Sequence, residues 1–82
     1  MSENRVAAVS IIVENIEHTD RLNAVLHEYG NYIIGRMGIP YRAKNISVLS
    51  VVLDAPQETI NALTGKLGMI DGVYAKTLFS KF

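Results

Sequence analysis

The chain has 82 residues, no cysteine, and eight basic against eight acidic side chains, so its formal net charge is zero. This length fits one small domain spanning residues 1–82, and the lack of cysteine excludes disulfides and thiolate chemistry. Hydrophobic residues make up 49% of the chain, a high share for this size, which predicts that self-association buries part of the apolar surface.

The first third of the chain predicts a strand followed by a helix. Residues 5–13 (RVAAVSIIV) are apolar and largely β-branched, as in a strand buried on both faces. Residues 14–30 change to helical spacing, with a polar cap at or beside Thr19, Asp20 in the first turn and Gly30 at the end. One apolar stripe of this helix should face the core: Leu22, Val25, Leu26 and Tyr29.

Charge and hydropathy argue against membrane and DNA-binding classes. The apolar run of the first strand is too short to span a bilayer and leads directly into acidic residues, so we expect a cytoplasmic protein without membrane contact. DNA-binding modules normally carry a basic excess, which is absent here, so direct nucleic-acid binding is not expected. Arg36, Arg42 and Lys44 form a local basic run that fits either a solvated surface or a basic hairpin.

A hairpin is predicted in the middle of the chain. Residues 31–37 (NYIIGRM) predict a strand, and residues 45–54 (NISVLSVVLD) predict the next one, with a turn through Gly38 and Pro40 between them. A glycine inside a strand marks a bulge or a close backbone approach, which is the interpretation we give to Gly35.

The last third predicts a second helix and a final strand. Pro56 is expected at the first helical position, and Gly68 is a natural stop. Ile60, Leu63 and Leu67 supply the buried stripe of this helix. Residues 72–79 (GVYAKTLF) then form a strand that opens with the Asp71-Gly72 turn.

The order β-α-β-β-α-β predicts a ferredoxin-like α+β fold, with a four-stranded antiparallel sheet and two helices on one face. The sheet face opposite the helices is normally polar, yet the strands are apolar on both sides, so the pattern does not tell which side meets the helices. A bare apolar face of several hundred Å² usually marks an interface, so we predict a homodimer or a homotetramer.

We predict no catalytic residue, no metal site and no cofactor. No Ser–His–acid motif is recognisable, and His18 and His27 are nine positions apart, which places them on opposite faces of a continuous helix. Surface or capping roles are expected for both, with a site built across an interface as the alternative. Residues 64–68 (TGKLG) fail as a phosphate loop, and we interpret Gly65 as a point of close packing.

Arg36 is the candidate that needs explaining, because it stands in the stretch GRMGIPY, residues 35–41. Regular alternation places it on the same strand side as Tyr32 and Ile34. It is either a surface arginine beside a turn or an interface arginine that binds a carboxylate or an anionic ligand.

Three stretches resemble a known family: residues 9–15 (VSIIVEN), residues 35–41, and residues 62–73 (ALTGKLGMIDGV). The chain is similar to the small proteins proposed as regulators of the iron-only hydrogenase system, which are themselves similar to ACT domains and to the C-terminal domain of nickel-responsive regulators. The resemblance implies a single ACT-like domain that is oligomeric, regulatory and non-enzymatic, and that acts on transcription directly or through a partner.

The resemblance also implies a small-molecule effector held between subunits near the first strand–helix turn. That points to Glu14 and Asn15, with Arg36 from a neighbouring strand. The nickel ligands and the ribbon-helix-helix segment of the nickel regulators have no counterpart here, so neither metal nor DNA binding carries over. The alternatives are an adaptor subunit that binds a protein partner without a small ligand, and a small enzyme with an interfacial site.

Overall fold

Four strands and two α-helices make up the structure, a computed structural model that describes residues 4–81. The elements are β1 (Asn4–Val13), α1 (Thr19–Glu28), β2 (Ile33–Tyr41), β3 (Ile46–Pro56), α2 (Gln57–Gly68) and β4 (Val73–Phe79). Three short 3-10 helices, Ile16–His18, Gly30–Tyr32 and Arg42–Lys44, lie in the connections. The strands are antiparallel in the order β2-β3-β1-β4, which confirms the predicted ferredoxin-like fold.

The hydrophobic core lies between one face of the sheet and the two helices. Every second residue of β1 is buried there, which assigns the Val9 side of that strand to the helices. The other strands and the helices contribute Leu49, Val51, Leu53, Val73, Leu22, Leu26, Ile60, Leu63 and Leu67. Each fully buried aliphatic side chain contributes about 1.5–3 kcal/mol, so these residues fix which sheet face is covered. The other face, called the open face below, carries no helix.

The β2–β3 hairpin turns later than the sequence predicts. Gly38 and Pro40, expected in the turn, are strand residues that pair with Leu49 and Ser47. The chain reverses at Arg42–Lys44, and Asn45 closes the turn in the left-handed region at φ 53. Proline is tolerated within β2 because this is an edge strand, where outward-facing amides have no neighbouring strand to bond.

A β-bulge in β2 confirms the irregularity predicted around Gly35. Ile33 pairs with Leu53, whereas Gly35 pairs with the adjacent residue Val52, so Ile34 is an extra residue in the ladder. An extra residue moves every side chain that follows it in the strand to the sheet face opposite to the one that regular alternation would give.

The reversal corrects the predicted placement of Arg36. Arg36 pairs with Val51, which is buried under the helices, so Arg36 lies on the helix side of the sheet together with Ile33. Regular alternation had placed it on the opposite side from Ile33. Met37 and Ile39 move to the open face by the same shift.

The helix ends lie within a residue or two of the predicted ones. His18 is the N-cap residue of α1, and Pro56 is the N-cap of α2 rather than its first helical residue. At the other predicted turn, Gly72 has φ +77, a conformation that favours glycine.

Gly65 is not the close-packing point that the sequence suggested. Among residues 4–81, no atom outside its own helical turn lies within 4 Å of the position that a Cβ would take. Gly65 therefore carries the entropic cost of a helical glycine without a compensating contact in this chain.

Gly65→Ala should raise the free energy of unfolding by about 0.5–1 kcal/mol, because alanine restricts the unfolded chain and fits the helix. Gly72→Ala is the contrasting variant and should lower it by about 1–2 kcal/mol, since the left-handed conformation is strained for alanine. Urea unfolding of both variants measures the difference. A destabilised Gly65→Ala protein would contradict the interpretation and indicate that another chain approaches α2 at this point.

Candidate functional site

The open face of the sheet is the most unusual surface of the described structure. Side chains on this face are identified by their cross-strand pairing, because directly opposed residues share a face. Its large apolar members are between 39% and 75% exposed. They are Val6, Ile12, Met37, Ile39, Tyr41, Val48, Tyr74 and Leu78.

A polar row crosses the middle of this apolar face, and Asp54 lies on the same face further along β3. Ser50 of β3 pairs with Ser10 of β1, and Ser10 pairs with Lys76 of β4. The row starts at Met37 on the β2 edge, so its polarity increases from β2 to β4. The flanking rows, through Val48 and Val52, have no charged member among these paired residues.

A concave region of about 730 Å³ lies on the open face, beside the end of the sheet where β1 leads into α1. Apolar side chains of all four strands and the polar row line it. This volume falls in the range of small-molecule sites, and the chemistry of its walls suits either an apolar ligand or a second protein surface.

Glu14 and Asn15, to which the family resemblance pointed, lie next to each other in the turn between β1 and α1. The Glu14 amide donates to the Gly72 carbonyl at 2.8 Å, which ties this turn to the start of β4. Asn15 Oδ1 accepts a hydrogen bond from the Glu17 amide at 3.0 Å, so its side chain shapes the turn itself.

The Glu14 carboxylate is joined to the open face by a hydrogen bond. Tyr74 Oη donates to Glu14 Oε1 at 2.9 Å, and both side chains are exposed. The bond stabilises the protonated phenol and therefore raises the pKa of Tyr74 above its ordinary value, with the charge of Glu14 adding to the effect.

His18 lies under the same turn, half-buried against Gly72. A Cβ at Gly72 would come within 3.4 Å of His18 Nδ1, and this buried nitrogen has no hydrogen-bond partner among the described residues. His27 is exposed on α1, so the structure does not bring the two histidines together. Within residues 4–81, no group of three or more His, Cys, Asp or Glu side chains is arranged to hold a metal ion.

Arg36 is remote from Glu14 and Asn15 within one chain. Arg36 pairs with Val51 of β3, which in turn pairs with Val9 of β1, so Arg36 is two strands away from β1. Glu14 follows Val9 by five residues, which adds a separation of roughly 16 Å along the strand direction. The Arg36 guanidinium Nη2 donates to Asn23 Oδ1 of α1 at 2.9 Å. The structure therefore separates the predicted site residues into a turn pair and an arginine over α1.

Sequence reasoning missed the partners of both groups. Tyr74 had been assigned only to a strand, and Asn23 only to a helix, since pairing between distant elements leaves no local pattern. The register between β1 and β4, had it been known, would have placed Tyr74 opposite Ile12, two residues before Glu14. No local signal pointed to Asn23.

The sequence model of the TM1266-like family, described as proposed regulators of the iron-only hydrogenase system, matches residues 5–77. The chain belongs to this family. Its fold is also that of the uncharacterized protein TM1266 from Thermotoga maritima, with 40% identity, a TM-score of 0.91, and coverage of 96% of this chain and 100% of the other. A search of curated proteins gave no match.

More distant solved structures share the fold alone. The C-terminal domain of MgtC from Mycobacterium tuberculosis is 15% identical, with a TM-score of 0.75 and coverage of 95% of this chain and 89% of that one. The nitrogen regulatory PII-like protein CPII from Thiomonas intermedia K12, bound to ADP, AMP and bicarbonate, is 14% identical, with a TM-score of 0.55 and coverage of 95% of this chain and 92% of that one.

No helix among the described residues of this chain is long and apolar enough to cross a membrane.

Glu14→Gln should lower the pKa of Tyr74 toward that of an ordinary tyrosine, because a neutral amide removes the carboxylate that stabilises the phenol. Carbon NMR of the tyrosine rings, followed against pH, resolves the four tyrosines separately. An unchanged Tyr74 curve would show that the hydrogen bond does not persist in solution.

Proposed function

We propose that this chain is a self-associating regulatory domain of the iron-only hydrogenase system, which responds to a small-molecule effector and performs no catalysis itself. The observation that carries the proposal is the open face, where large apolar side chains of all four strands remain exposed. The family's description supplies the regulatory context. We place the protein in the cytoplasm, as a homodimer or a homotetramer.

The size and composition of the open face support self-association. Monomeric proteins rarely expose contiguous apolar patches above a few hundred Å², and standard interfaces bury about 800 Å² on each partner. At about 25 cal/mol per Å² of apolar area, burying such a face contributes free energy that offsets the cost of association. A second copy offers a surface of the same chemistry, and the polar rows of the two faces can then meet each other.

The effector part of the proposal concerns the turn at Glu14 and Asn15. This turn adjoins the open face through the Tyr74–Glu14 hydrogen bond, so a molecule bound there would contact the interface that we propose. CPII, which shares this fold at low identity, is bound to ADP and AMP, and it is a nitrogen regulatory PII-like protein. Effector binding beside a subunit interface would couple ligand occupancy to assembly.

Val48→Lys should dissociate the assembly, because it places a charge in the middle of the open face, where Val48 is 40% exposed and its side chain can be accommodated without disturbing the core. Light scattering should then give the mass of one chain, 9.1 kDa, at concentrations where the wild type is larger. Circular dichroism should be unchanged.

Two control variants make this test specific. Met69→Lys changes a side chain that is 85% exposed at the C-cap of α2, outside the four strands, and should leave the mass unchanged. Val9→Lys places the same charge on the core side, where Val9 is 0% exposed, and should unfold the chain instead. A wild-type protein that is monomeric at micromolar concentration would contradict the proposed interface.

A further inference from the structure

The bulge in β2 gives Arg36 a position that a regular strand would not. By reversing the alternation after Ile34, the bulge removes Arg36 from the open face and places it on the helix side at the sheet edge. Bulges often serve to re-aim one side chain, and a charged residue on an exposed edge is a side chain that can bind a ligand.

Asn23 of α1 then holds the arginine in one orientation. Its Oδ1 accepts from Arg36 Nη2 at 2.9 Å, so the amide oxygen is used and the amide nitrogen remains as a donor. A guanidinium has five N–H groups, of which this bond uses one, and the others remain available in a fork suited to oxyanions.

No carboxylate of the described residues neutralises Arg36. Over residues 4–81, the salt bridge found is that between Lys66 and Glu28, which joins the two helices elsewhere. Asp20 lies one helical turn before Asn23, yet it makes no ion pair with Arg36. The positive charge of the guanidinium is therefore not compensated by a carboxylate of residues 4–81, and an external anion can bind to it.

A groove of about 380 Å³ lies in front of this arginine, between α1 and the start of β2. His27, four residues after Asn23 and so on the same helix face, adds a ring N–H donor to its wall. Leu26 and Ile33 supply an apolar floor, and Gly30 leaves the opening free of a side chain. Each polar side chain of the groove thus presents donors, and none is an acid.

From this arrangement we infer an anion-binding site in which Arg36, Asn23 and His27 bind the carboxylate or phosphate group of a small molecule, with its apolar part against Leu26 and Ile33. The inference goes beyond the proposed effector site at Glu14 and Asn15, because this anion site is a second site on the helix side of the sheet and is complete within one chain.

Nitrogen–proton correlation NMR of the full chain tests the site, with inorganic phosphate and acetate as separate probes and chloride holding the ionic strength constant. We expect saturable shifts at the Asn23, His27 and Gly30 amides and at the Arg36 guanidinium. Stronger binding of one probe identifies whether phosphate or carboxylate is the preferred group. Shifts that never saturate, or that are centred on other residues, would overturn the inference.

Two substitutions separate a built site from general charge attraction. Arg36→Gln should weaken binding roughly tenfold to a hundredfold, because it removes the charge-assisted hydrogen bonds. Arg42→Gln removes the same charge from the exposed hairpin and should leave the affinity within about twofold. Equal losses in both variants would overturn the site.

Light scattering on the same samples keeps this inference apart from the proposed interface. An assembly that does not bind either probe contradicts the anion site and leaves the interface standing. A monomer that binds phosphate with the Arg36 dependence contradicts the interface and leaves the anion site standing.

Discussion

One extra residue in β2 decides how both surfaces of this protein are composed. Without the bulge at Ile34, Met37 and Ile39 would point toward α1, and Arg36 would interrupt the open face with a charge. With it, the open face gains apolar side chains at its β2 edge and the charge moves to the groove beside Asn23. The bulge disrupts the ladder locally, and in return the β2 edge of the open face is apolar and the arginine faces α1.

The fold could be predicted from sequence because its signals are local. Short apolar runs in β1 and β3, helical spacing around Leu63, and glycines at the turns each act within a few residues, and all agree with one topology. The hairpin was misplaced because Gly38 and Pro40 are common in turns, whereas here pairing of β2 with β3 overrides that preference. Tertiary packing also decided which face meets the helices, which alternation alone could not.

The candidate sites were less predictable because they depend on contacts between distant elements. Glu14 and Asn15 were proposed from the family resemblance, and the structure shows their position at the β1–α1 turn without testing whether they bind a ligand. Arg36 was singled out, but the predicted sheet face for its side chain was wrong. A single bulge moves the following side chains to the opposite face, and the residue types in the strand do not reveal it. Asn23 and Tyr74, which hold these side chains in place, could be recognised only once the register of the sheet was known.

The edge strand β2 has a consequence for how the proposed self-association could extend. An exposed β2 edge offers free backbone groups to any other strand, and long flat edges of this kind lead to fibrils. The bulge twists this edge and Pro40 removes one donor from it, so strand addition along β2 is poorly supported. At the β2 edge, the self-association proposed above therefore has to use the open face rather than strand addition.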